Sequence, residues 1–249
     1  MYQKEAGLQL SSKASFLLGL LGGVLALCTI GFFVLLGIML TSDATACEAE
    51  TAQPAAKAPA AAPPTAPDPD EGGVGAIKPV SDSDHVTGPS DPDLTMIVYT
   101  DIECPFCSRF HPSMEQVQEE LGDRVQVVMR HFPLSFHANA KSAANAAECA
   151  GEQDMFFEYV HELFANNTRL GNDLYEEIAE DLGLSMGKFS DCVDTDKYAA
   201  KINADFQSGV AAGVQGTPGS LLIPKVGEPE IIPGAVPADQ LIGIIESMM

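Results

Sequence analysis

Tyr99-Thr100-Asp101-Ile102-Glu103-Cys104-Pro105-Phe106-Cys107 is the stretch from which this chain is best read. It follows a β-like run, Thr95-Met96-Ile97-Val98-Tyr99-Thr100, and opens a helix-like run from Ser108 to Leu121, with a kink expected at Pro112. A strand that turns into a helix here places Cys104 at the helix N-terminus. Unpaired backbone N–H groups and the helix dipole favour a thiolate there. Pro105 suits the first helical turn, where its missing N–H is not needed. The thiolate is the form that attacks disulfides, so the pattern points to thiol–disulfide exchange.

Other uses of Cys104 and Cys107 fit less well. Attachment of c-type haem needs His directly after the second cysteine, and Ser108 stands there. A zinc site usually wants four ligands. His111 would add only a third local one, leaving Cys149 or Cys192 to complete the set. A plain structural disulfide is disfavoured by a setting that exposes Cys104. No metal and no cofactor are therefore expected.

The chain has 249 residues, a net charge of −22 and a pI near 4.3. That acidity argues against nucleic-acid binding, since no basic patch exists to neutralise phosphates. From Ala14 to Leu40 no residue is charged, which is long enough to span a bilayer. Lys4 and Lys13 precede this run, and Asp43, Glu48 and Glu50 follow it. The expectation is a single-pass cell-membrane anchor at 14–40, with 1–13 cytoplasmic and everything after Leu40 extracytoplasmic, in the periplasm or at the cell exterior. A cleaved signal peptide is the competing reading, with Ala44-Thr45-Ala46 as its cleavage site. The apolar run is longer than the core of such peptides.

Residues 41–92 read as an Ala/Pro/Asp-rich linker that cannot bury enough apolar surface to order itself. The globular part is expected at 93–249, in the order β-α-β, a long helical block at about 138–212, then β-β-α. That is a mixed α/β domain with a helical insertion. The helix over Ala138–Phe164 should break near Gly151. Strands are expected at Val125–Met129, Leu221–Ile223 and Ile231–Ile232.

The remaining cysteines differ by setting. Cys28 lies in the apolar run as an inert hydrophobe, and Cys47 just beyond it is idle or pairs between chains. Cys149 and Cys192 fall on separate helices. In an extracytoplasmic domain a disulfide between them is the expected use; two buried free thiols are the alternative. Such a bond would join residues 43 apart and stabilise by roughly 3–4 kcal/mol in the loop-entropy picture.

Taken together, these residues resemble the DsbA-like thiol:disulfide oxidoreductase family, a thioredoxin fold, in its membrane-anchored bacterial form. The resemblance runs from about Ser83 to Met249. It rests on Tyr99–Cys107 and on Gly213-Val214-Gln215-Gly216-Thr217-Pro218. Arg130-His131-Phe132-Pro133-Leu134, Ala147-Glu148-Cys149-Ala150 and Phe189-Ser190-Asp191-Cys192 support it. It implies a cis peptide at Pro218, with the Thr217 backbone beside Cys104 to pair with an extended substrate. It implies Cys104 as nucleophile, Cys107 as resolving thiol and Pro105-Phe106 as the tuning dipeptide. Asp101 or Glu103 is a candidate proton relay for Cys107; solvated loop acids are the plainer reading. His131 and His137 read as packing or surface residues, while His111 would stabilise the thiolate if it faced Cys104.

The implied activity is disulfide introduction into unfolded or reduced secreted proteins, with re-oxidation by a membrane quinone-linked thiol oxidase. A reductase or isomerase fed by a membrane reductant is the alternative, and a non-enzymatic zinc-binding or structural module the more distant one. Two departures stand out. Gly219-Ser220 follows Pro218 where relatives carry larger residues, and Phe106 replaces the histidine of the strongest oxidants.

Overall fold

The apolar residues of strand β2 (Leu94–Thr100) divide between two opposite faces, and that division organises the domain. Leu94, Met96 and Val98 enter one core cluster, whereas Ile97 and Tyr99 enter a second with Val128, Phe132 and Leu221. Alternate side chains of a strand point to opposite faces, so a strand apolar on both must be covered on both. The computed structural model describes residues 74–249. The apolar run at 14–40, Cys28, Cys47 and the linker up to residue 73 lie outside them. Among the described residues no helix is long and apolar enough to cross a membrane.

The sheet has five strands in the order β1-β3-β2-β4-β5. β1 is His85–Thr87, β3 Val125–His131, β4 Gly219–Pro224 and β5 Glu230–Pro233. β2 and β3 run parallel, joined through helix α1 (Pro105–Leu121), and the other neighbours are antiparallel. Helix α1 continues through Pro112, where a kink was expected. It packs with the C-terminal helix α7 (Ala238–Met248).

Between β3 and β4 lies the helical insertion. It holds α2 (Ala140–Gly151), α3 (Phe156–Ala165), α4 (Asn172–Asp181), α5 (Met186–Asp194) and α6 (Ala199–Ala212). The break expected near Gly151 falls between Gly151 and Phe156, where Asp154 adopts φ 63°. Helix α6 returns across the second face of the sheet, on β3. At Gly209 a Cβ would come within 2.8 Å of both Tyr99 and Phe132, so only glycine lets α6 approach this closely.

The ordered domain begins earlier than the sequence suggests. Residues 74–92, read as linker, belong to the fold, and β1 among them pairs with β3. The reason is Arg130, whose guanidinium is fully buried. Its Nε and Nη2 donate to the two Asp84 carboxylate oxygens at 2.8 and 3.0 Å. Nη1 and Nη2 donate to the carbonyls of Lys78 and Pro79, both at 3.0 Å, and Nη1 also to Tyr99 Oη at 3.2 Å. All five donors of the fork are thus engaged. A buried charge is tolerable only when so paired, and residues 78–84 supply most of its partners. Gly75 and Ala76 add backbone bonds to Ala212 and Ala211 at the end of α6.

Cys149 of α2 and Cys192 of α5 form a disulfide, with Cα atoms 5.8 Å apart. It closes a separation of 43 residues within the insertion. Replacing both cysteines by serine is expected to cost about 3–4 kcal/mol of unfolding free energy. Urea denaturation of the variant against the parent measures this, and a change below about 1 kcal/mol would contradict it.

Candidate active site

Cys104 occupies the N-cap of α1 with extended backbone (φ −71°, ψ 121°), and Pro105 follows in the first turn. Helix and strand geometry therefore bring the motif to the end of β2. The partner segment reaches the same place through β4, since Tyr99 of β2 stands opposite Gly219. The residues immediately before Gly219 are Thr217 and Pro218, joined by a cis peptide bond. Cys104 Sγ lies 3.6 Å from Thr217 O, with the thiol donating. The two motifs that the sequence separates by more than a hundred residues thus meet.

Gly219 explains the departure after Pro218. A Cβ there would come 2.7 Å from Val214 Cγ1 and 3.1 Å from Gly216 O. The loop folds back on itself too closely for a side chain, so the larger residue expected from the resemblance does not fit.

The expectation of an exposed Cys104 is corrected. Its side chain is buried, 4 % accessible, because the Thr217–Pro218 loop lies over the sulfur. Cys107 is buried deeper in the same core cluster. Both are free thiols. Their environments push them in opposite directions. The Cys107 thiol, donating to Cys104, is the largest cause that brings the Cys104 pKa down from an ordinary 9.0 to about 5. Burial works against this, while the N–H groups of Cys107 and Phe106 and the Thr217 side chain favour the anion. Thr217 Oγ1 is buried without another partner. Cys107 is held well above the ordinary thiol range, first by burial and then by the neighbouring Cys104 sulfur.

Asp101 is no solvated loop acid. It is 2 % exposed, and its backbone N–H donates to Cys107 Sγ at 3.5 Å. Its Oδ2 accepts from Leu134 N and from His137 Nδ1, both at 2.8 Å, and Oδ1 from Glu103 N at 2.9 Å. Glu103 turns away from the sulfurs. Its Oε2 accepts from Asn139 N at 2.6 Å and its Oε1 from Asn139 Nδ2 at 3.3 Å. It therefore tethers the start of α2 to the motif.

His137, read from sequence as a packing or surface residue, belongs to the site. Partial burial opposes its charge, yet the Asp101 carboxylate, with lesser help from Cys104 and Glu103, holds its pKa above the ordinary value. Nothing in its spacing from Cys104 signals this, because the contact depends on the loop after β3. His131 is engaged elsewhere, 2.9 Å from the buried Glu148 carboxylate. His111 does not face Cys104 but packs against Phe164 and His161 of α3, with centroids 4.8 and 5.6 Å away. That orientation, and the Cys149–Cys192 bond, remove the zinc set built from Cys104, Cys107, His111 and a further cysteine. Phe106 is 52 % exposed, with the Arg109 guanidinium 4.9 Å over its ring, and offers an apolar surface beside the sulfur.

Comparison with known proteins agrees with this geometry. The structure resembles Wolbachia pipientis α-DsbA1 with a TM-score of 0.60 at 21 % identity, covering 68 % of this chain and 92 % of that one. It resembles the catalytic domain of Proteus mirabilis ScsC with a TM-score of 0.56 at 26 % identity, covering 67 % and 89 %. Curated relatives include the Na+/H+ antiporter NhaA of Herminiimonas arsenicoxydans, 32 % identical over 135 residues, and NhaA 1 of Mycolicibacterium gilvum, 35 % identical over 155. These matches take in 54 % and 60 % of this chain but only 21 % and 25 % of the antiporters. The chain thus corresponds to a quarter or less of their length. A thioredoxin family model matches residues 81–226, the stretch that holds Cys104, Cys107 and the Thr217–Pro218 loop. With that match the chain belongs to the thioredoxin family, and its fold is like that of α-DsbA1.

Proposed function

We propose that this protein is an extracytoplasmic thiol–disulfide oxidoreductase that introduces disulfides into secreted or cell-envelope proteins. The observation that carries the reading is the placement of Cys104 between the start of α1 and the Thr217 carbonyl, with its thiol brought down to about 5. A stabilised thiolate favours the reduced enzyme, which makes the oxidised enzyme an oxidant. The uncharged run at 14–40, and relatives that hold a matching segment within a Na+/H+ antiporter, support a place at a membrane.

The chemistry follows from the two environments. A substrate thiolate attacks Cys104 Sγ of the Cys104–Cys107 disulfide, and Cys107 leaves. The Asp101 N–H, 3.5 Å from Cys107 Sγ, meets the charge that develops there. Cys107 then takes a proton, in keeping with its raised pKa. A second substrate thiolate attacks the mixed disulfide at the substrate sulfur, and Cys104 leaves as the stable thiolate. Two electrons pass from substrate to enzyme, and one substrate disulfide forms. The backbone of Thr217 stands where an extended substrate would pair with it. Re-oxidation falls to a membrane quinone-linked thiol oxidase.

The direction of electron flow is tested by the reduction potential of Cys104/Cys107. A value near about −120 mV is expected; one near about −270 mV would make the protein a reductase. Replacing Cys104 by serine should abolish both refolding of a reduced substrate and insulin reduction, and surviving activity would sink the enzyme reading.

Alkylation of the reduced protein by iodoacetamide should rise through about pH 5 and then level off, rather than climb near the ordinary 9.0. Because the folded pKa is depressed, the thiolate's contribution to the stability of the reduced fold is complete above the unfolded value. It fades as pH falls through about 5.

His137→Ala should move the alkylation midpoint upward, by up to about 1 unit, since it removes a cationic partner of the thiolate. Far-ultraviolet circular dichroism checks that the fold is kept. An unchanged midpoint would leave His137 a purely structural partner of Asp101.

A further inference from the structure

One helical turn beyond Cys107, three side chains converge between α1 and α3. His111 and Glu115 stand one turn apart on α1, and His161 reaches over from α3. Glu115 Oε1 lies 2.7 Å from His161 Nδ1 and 3.2 Å from His111 Nε2. One donor atom from each residue falls within 4.8 Å of the other two. In a tetrahedral zinc site, ligand bonds of about 2.0–2.2 Å put neighbouring donors about 3.4 Å apart, so the cluster already has nearly the required span.

His111 is the unusual member. It is 7 % exposed, yet neither ring nitrogen has a hydrogen-bond partner. Nε2 is near Glu115 but off the line that a ring N–H bond needs. Two unpaired nitrogens on a buried ring are costly unless something else engages them. Glu115 and His161 are about half exposed and open the cluster to solvent.

We propose that His111, Glu115 and His161 bind one divalent transition-metal ion, with Zn2+ as the representative, and that the ion pins α1 to α3. Two imidazoles and one carboxylate are the donor set of zinc sites that keep a position open for water. The acidic chain, net −22, raises the local concentration of cations. The site reinforces a seam that already exists, where Ser108 Oγ donates to Phe164 O at 3.1 Å. His111 follows Cys107 by one helical turn, so a bound ion would steady the helix whose first residues carry the exchange chemistry. The proposal uses none of the thiols and stands apart from the direction of electron flow.

The test is calorimetric titration of ZnCl2 into the full chain, with Cys104 and Cys107 oxidised to their disulfide so that neither can ligate. One equivalent should bind with micromolar or tighter affinity. His161→Ala and Glu115→Gln, both at exposed positions, should each weaken binding at least about tenfold. X-ray absorption of the zinc-loaded protein should show a nitrogen and oxygen shell at about 2.0–2.2 Å with no sulfur. Absence of binding at millimolar zinc, full affinity in both variants, or sulfur in the shell would each overturn the site.

Discussion

The antiparallel pairing of β2 with β4 is the constraint on which the site depends. β2 ends where α1 begins, and β4 begins where the Thr217–Pro218 loop ends. The register that sets Tyr99 against Gly219 therefore delivers a helix N-terminus and an open backbone carbonyl to one sulfur. A slip of one residue would invert every side chain of β4 relative to the two cores. The core clusters on both faces resist that slip, with Leu222 in one and Leu221 in the other. The packing that stabilises the sheet thus also fixes the distance on which exchange depends.

Two identical side chains, one helical turn apart, acquire opposite character from that arrangement. Cys104 accepts a hydrogen bond from the Cys107 thiol and lies near N–H groups, whereas Cys107 is buried deeper in the apolar core. The asymmetry comes chiefly from hydrogen bonds and from burial around the two sulfurs. Asp101 acts through its backbone N–H on Cys107, while its carboxylate is occupied by Leu134, His137 and Glu103. A buried carboxylate that accepts three hydrogen bonds serves as a joint between the motif and the loop after β3.

Much of this was legible in the sequence, and the exceptions have physical causes. The strand, helix and cysteine spacing at Thr95–Leu121 speak through local periodicity, which the fold preserves. Pairing of Cys149 with Cys192 was expected from their setting on separate helices, whereas the cis peptide at Pro218 came through resemblance, because spacing alone favours a trans turn. His137 was missed since its role exists only when the β3–α2 loop folds back on Asp101. Residues 74–92 were misread because Pro, Ser, Asp and Gly are also the residues of a disordered spacer. What orders them is a distant guanidinium, and composition carries no trace of it. The burial of Cys104 was likewise a tertiary effect, imposed by a loop more than a hundred residues away.

The Arg130 clamp has a mechanical side. The chain enters the domain through Gly75 and Ala76, bonded to the last turn of α6, and through residues 78–84, held by one guanidinium. Tension arriving along the N-terminal segment would be carried in shear by those bonds and spread into β3 through Arg130. The same turn of α6 leads directly into Val214–Pro218. Gly75 and Ala76 are thereby bonded to the same end of α6 from which the chain runs on to the Thr217–Pro218 loop.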